Sequence, residues 1–158
     1  MQFDELIKGL GERLQVALTT EDGVCTLGID DMTVTLMELR ELDALVITGE
    51  MGEPPPQGLE KLYRVMLEAN HNFTGTAGAT ISLDPERHVF RLCRMSQLVA
   101  TDVDALVTML ERFVNTLEAW RKLIADYRPV AERAAAAVEK ESEAPFEYHM
   151  ANSGFMSV

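Results

Sequence analysis

Basic residues, histidine and cysteine are all scarce in this 158-residue chain, and each shortage removes a class of function. Lys and Arg number 14 against 26 Asp and Glu, which leaves a formal net charge of −12 and a pI near 4.6. Nucleic-acid binders draw their affinity from cations that release counterions from phosphate. No nucleic acid is expected as a partner, and anionic membrane surfaces repel such a chain. The three histidines, His71, His88 and His149, stand at no paired-ligand spacing. Cys25 and Cys93 lack CxxC spacing, so reduced thiols are expected in place of a disulfide or a metal centre. No run approaches the ~20 apolar residues of a membrane span. Met1-Gln2-Phe3-Asp4-Glu5 is acidic where a secretory leader would be basic, and a cytoplasmic location is expected.

Catalytic signatures are missing too. There is no Walker loop and no GxSxG elbow. Gly75-Thr76-Ala77-Gly78 leads into a strand, so no helix N-terminus is available there to cradle phosphate. Asp30-Asp31 and Asp102 with Asp104 read as turn and cap residues, not as ligands of a hard cation. The expectation is no catalytic residue, no metal, no cofactor and no enzyme activity.

What the chain does have is apolar content, 47%, enough to exclude general disorder. Its length suits one domain with a core that needs no staple. Phe3, Leu6, Ile7, Leu10, Leu14 and Ala17 recur at helical spacing and predict a helix over about 3–18. Gly9 and Gly11 inside it each cost up to about 1 kcal/mol relative to alanine, so packing must hold this helix. Three strands follow, Val24–Ile29, Met32–Leu39 and Ala44–Gly49, joined by the short turns Asp30-Asp31 and Glu41-Leu42-Asp43. In the second strand Met32, Val34 and Leu36 share one face and Thr33, Thr35 and Met37 the other.

Pro54-Pro55-Pro56 makes a stiff loop. A second helix is marked by Leu59, Leu62, Tyr63, Met66 and Leu67 and ends at Asn70-His71-Asn72. Two more strands are predicted over 77–83 and 88–95, then a helix capped by Thr101 or Asp102, with Leu106, Leu110, Phe113, Leu117, Trp120 and Ile124 on its apolar side. Trp120 and Phe113 read as core anchors, and Arg121 and Lys122 as solvated partners of Glu118 and other helix carboxylates. Pro129 breaks the pattern. Residues 129–140 read as a helical extension and 141–158 as a mobile tail, greasy at Phe146, Tyr148, Phe155 and Met156 and a candidate to fold back onto the chain's own groove. Grouped strands imply α+β, in the order α-β-β-β-α-β-β-α, with a curved antiparallel five-stranded sheet and helices packed on it.

The stretch Leu67-Glu68-Ala69-Asn70, running on through Phe73-Thr74-Gly75-Thr76-Ala77-Gly78-Ala79-Thr80-Ile81-Ser82-Leu83 to Asp84-Pro85-Glu86, is the most telling piece. With Leu110-Glu111-Arg112-Phe113-Val114 and Glu118-Ala119-Trp120-Arg121, it resembles the Tir-chaperone (CesT-type) family of type III secretion chaperones over residues 1–128. The resemblance implies a bacterial cytoplasmic homodimer that binds the N-terminal region of a secreted effector protein and keeps it non-globular, soluble and secretion-competent. It also implies the secretion ATPase as a partner, and no cofactor. A non-secretory peptide-binding adaptor of the same fold is the alternative. The candidate effector-binding set is Leu6 and Leu10 with Leu27, Ile29, Met32, Val34, Leu36 and Met37. The candidate dimer set is Leu59, Leu62, Tyr63, Met66 and Leu67. Methionine, of which there are 9, suits a surface that repacks around varied partners.

Overall fold

A computed structural model describes residues 2–128. The extension 129–140, the tail 141–158 and the residues named in them, Pro129, Phe146, Tyr148, His149, Phe155 and Met156, lie outside the described residues. Within them the order is α1 (Phe3–Leu14), β1 (Val24–Ile29), β2 (Met32–Leu39), β3 (Ala44–Gly52), α2 (Leu59–Asn70), β4 (Thr80–Asp84), β5 (Val89–Gln97) and α3 (Val103–Asp126), with 3-10 turns at Arg40–Leu42 and His71–Phe73. The strands form an antiparallel sheet in the order β1-β2-β3-β5-β4. The α+β class and the element order expected from the sequence both hold.

Boundaries moved where backbone geometry overrode periodicity. The first helix stops at Leu14, four residues short of the expected 18, because Gln15 turns left-handed and its N–H and that of Val16 bond back onto the last turn. Gly11 permits the reversal: a Cβ there would sit 2.8 Å from the Val16 carbonyl oxygen. Ala77 and Gly78 adopt positive φ, so the fourth strand begins at Thr80 and not at 77. The third strand runs on to Gly52 through a bulge between Glu50 and Gly52.

The two sheet faces divide the chemistry. Cys25, Leu27, Met32, Val34, Leu36, Leu45, Ile47, Met51 and Leu92 point inward and are buried. With Phe3, Leu6, Ile7 and Leu10 of α1 and Leu106, Phe113, Leu117 and Trp120 of α3, they make one core. Burial pushes the Cys25 thiol above its ordinary pKa, as expected of an inert core cysteine. Asp102 caps α3, its carboxylate accepting the Ala105 N–H at 2.8 Å. Trp120 donates its indole N–H to the Gly75 carbonyl at 2.9 Å and so ties α3 to the loop before β4. Arg121 pairs with Asp31 of the β1–β2 turn at 3.1 Å, correcting the expected partnership with Glu118. Asp84 closes the β4–β5 turn. Its carboxylate accepts the N–H groups of Glu86 and Arg87 and the Arg91 guanidinium, and the Arg87 and Arg91 bonds hold its pKa below the usual carboxylate value.

α3 lies against β3 because Gly49 leaves room for it. A Cβ at Gly49 would meet Leu117 Cδ2 at 2.5 Å, whereas one at Gly28 of β1 would meet nothing within 4 Å. Gly49→Val should therefore lower unfolding free energy by about 1–3 kcal/mol through overpacking, while Gly28→Val stays close to the parent, measured as urea midpoints. Equal midpoints for the two variants would contradict this packing account.

Candidate functional site

A sheet of this order has two edges, and this protein treats them differently. The β4 edge is capped at Ile81 by one side chain. The Asn70 carboxamide at the end of α2 accepts the Ile81 N–H at 2.8 Å and donates to the Ile81 carbonyl at 3.1 Å. That pair of bonds imitates a neighbouring strand, and Asn70 can make both because a carboxamide carries one donor and one acceptor side. α2 is thereby held beside β4, and Tyr63 meets the Phe90 ring edge-to-face at 5.9 Å.

The β1 edge is closed only at its start, where Val24 and Glu21 exchange two backbone bonds of 2.9 Å. Further along, antiparallel alternation turns the N–H and C=O groups of Thr26 and Gly28 away from β2, toward the open side. Both residues are exposed. The strand carries neither proline nor lysine to guard those outward groups, so they can template another strand.

The candidate effector-binding residues fall in three places. Leu6 and Leu10 on α1, and Leu27, Met32, Val34 and Leu36 on the inner sheet face, are buried core residues. Ile29 is half-buried against that core at the end of β1, and Met37 is half-buried on the outer face. The inner-face residues come together; Met37 stands apart from them. Of the dimer candidates, Leu62 and Met66 face the core, Leu59 is half-buried, Tyr63 is exposed and Leu67 is 70% exposed. Tyr63 and Leu67 line a shallow groove with Glu60, Arg64, Glu68 and His71. Exposed Phe73, held at positive φ, follows in the adjoining turn. Sequence reasoning placed Asn70 at the end of the helix but missed its bonds to Ile81.

Among the described residues no group of three or more His, Cys, Asp or Glu could hold a metal ion, and no helix is long and apolar enough to cross a membrane. What the geometry offers is backbone at one edge and apolar side chains on a helix face, the equipment of a protein-binding module.

The sequence matches the Tir chaperone protein (CesT) family over residues 5–121, well over half its length. The protein belongs to that family of chaperones. Its fold is similar to that in the HopA1–SchA chaperone–effector complex, at 17% identity, TM-score 0.66, over 76% of this chain and 93% of that one. The ExsC–ExsE complex is similar at 18% identity and TM-score 0.67, over 77% and 92%. So is the Yersinia pestis type III secretion chaperone SycH, bound to a stable fragment of YscM2, at 20% identity and TM-score 0.61, over 75% and 99%. These identities speak for the fold. No curated protein matches the sequence.

Replacing Asn70 with Leu removes both bonds to Ile81 and should cost about 1–3 kcal/mol, since two backbone groups lose their partners. The Ile81 amide should exchange with deuterium faster than its β4 neighbours. An unchanged Ile81 rate in Asn70→Leu would refute the edge-closing role.

Proposed function

We propose that this protein is a bacterial cytoplasmic type III secretion chaperone, a homodimer that holds the N-terminal region of a cognate effector in extended, non-globular form until secretion. The reading rests on family membership together with one observation: the β1 edge presents unpaired backbone at Thr26 and Gly28, whereas the opposite edge is capped at Ile81 by the Asn70 carboxamide. An extended segment that adds there gains main-chain bonds regardless of its own sequence. Its inward side chains would adjoin Leu27 and Ile29, so the buried candidate set is reached through the edge. Holding a segment as a strand keeps it from collapsing into a globule without any consumption of ATP by the chaperone. A secretion ATPase is a further partner on this reading, and residues 1–128 form its chaperone domain, followed by the extension 129–140 and the tail 141–158.

The dimer contact proposed is the exposed side of α2. Tyr63 and Leu67 are aromatic and aliphatic surface that a two-fold contact can cover with its own copy. Leu62 and Met66 belong to the core, so acidic substitutions there unfold the protein and do not report on assembly.

Leu67→Asp should give a folded monomer in light scattering, with unchanged far-ultraviolet dichroism. A persistent dimer would reject α2 as the contact. Client binding is tested with the N-terminal segment of the secreted protein that co-purifies from native cytoplasm. Thr26→Pro removes one outward N–H without touching the β2 ladder. It should weaken that complex at least about tenfold, the equivalent of about 1.4 kcal/mol, while leaving thermal unfolding within a few degrees. Undiminished affinity would rule out strand addition at β1.

A further inference from the structure

The edge strand β1 contains a glycine that its own surroundings do not require. Gly28 lies inside β1 and outside the positive-φ region. A Cβ added to it would meet nothing within 4 Å. The other described glycines each have a reason. Gly23, Gly52, Gly58 and Gly78 adopt positive φ, and at Gly9, Gly11, Gly49 and Gly75 a Cβ would come closer than 3.0 Å to a neighbour. Glycine weakens a strand through backbone entropy and lost side-chain packing. At Gly28 no close contact among the described residues offsets that loss. A glycine of this kind marks a place where something from outside comes close.

Its position says what comes close. Gly28 is one of the two residues of β1 whose N–H and C=O point away from β2, so a strand added at this edge pairs a residue directly with it. Side chains alternate along the strand: Cys25 and Leu27 face the core, while Thr26 and Gly28 face the outer side. The partner of Gly28 on β2 is Thr33, also exposed, and that of Thr26 is Thr35. The outer side of the edge is therefore bare backbone at Gly28, bordered by three threonines. A client residue paired with Gly28 stands about 5 Å from it and about 10 Å from Thr33, one and two strand spacings. Aromatic side chains reach such second neighbours. A ring laid across an edge glycine also restores the missing packing and covers the new interstrand bonds. A small aliphatic side chain leaves them bare, and the three threonines offer a charged one no counterion.

We propose that the segment bound at β1 carries an aromatic residue in register with Gly28, its ring lying over the glycine toward Thr33. This specificity rests on β1 being the docking edge, as in the proposed function.

The test pans the full chain against a displayed library of random segments of about ten residues, the upper length of ordinary strands. Selected segments should share one aromatic position. On binding, the Gly28 Cα protons of the glycine-labelled chain should move upfield under the ring, while those of Gly49 and Gly78 stay in place. Alanine at the aromatic position should weaken binding about fivefold, the upper end for a cross-strand pair. Against Gly28→Glu, which fills the notch with a charged side chain, that difference should vanish. Thr26→Pro separates the two levels. If it abolishes binding but alanine is tolerated, or the Gly28 protons do not move, strand addition stands and the aromatic specificity is overturned. If binding survives Thr26→Pro, the docking edge itself is wrong and both fall. Loss of the dimer in Gly28→Glu would show that a second copy occupies the edge and would equally overturn the specificity, as would a library that yields no binder.

Discussion

The approach of Leu117 to the Cα of Gly49 fixes the position of α3, and α3 decides what the sheet can offer. With no side chain at Gly49 the helix settles directly on β3, and its stripe from Leu106 to Ile124 seals the inner face. α1 completes the seal through Phe3, Leu6, Ile7 and Leu10, its own close approach permitted at Gly9, where a Cβ would strike Val103 at 2.6 Å. α1 and α3 are thus both spent on one face. α2 is drawn to the β4 edge by Asn70. Among the described residues, the β1 edge and the outer face remain without a covering helix.

That arrangement would be an aggregation hazard in a neutral protein. Here the charge of −12 sets molecules against one another. Acidity and exposed apolar surface are two halves of one solution: the first makes the second tolerable in a free chaperone.

Much of the fold was legible because its signals are local. Period-two alternation in Met32–Leu39 assigned Val34 and Leu36 to one face and Thr35 and Met37 to the other, as the structure has them. The spacing from Leu106 to Ile124 defined α3, and of the two caps read from the sequence, Thr101 or Asp102, the structure uses Asp102. The site was less legible because exposure is a tertiary property. Leu27 and Leu36 are as apolar as Leu42 and Val99, yet the first pair fills the core and the second stands in water. Nothing in composition separates them; only the knowledge of which face α3 covers does. Asn70 illustrates the same limit. Its partner Ile81 lies eleven residues on, across a loop with residues at positive φ, so no pattern within a single element could announce the pairing.

The proposed function turns on β1 accepting a foreign strand. Residue-resolved amide hydrogen exchange, on the chaperone alone and with the N-terminal segment of its co-purifying effector, tests it most directly. Thr26 and Gly28 should exchange freely in the unbound protein and become strongly protected in the complex. Protection confined to α2 or to the outer face, with Thr26 and Gly28 as labile as before, would contradict it.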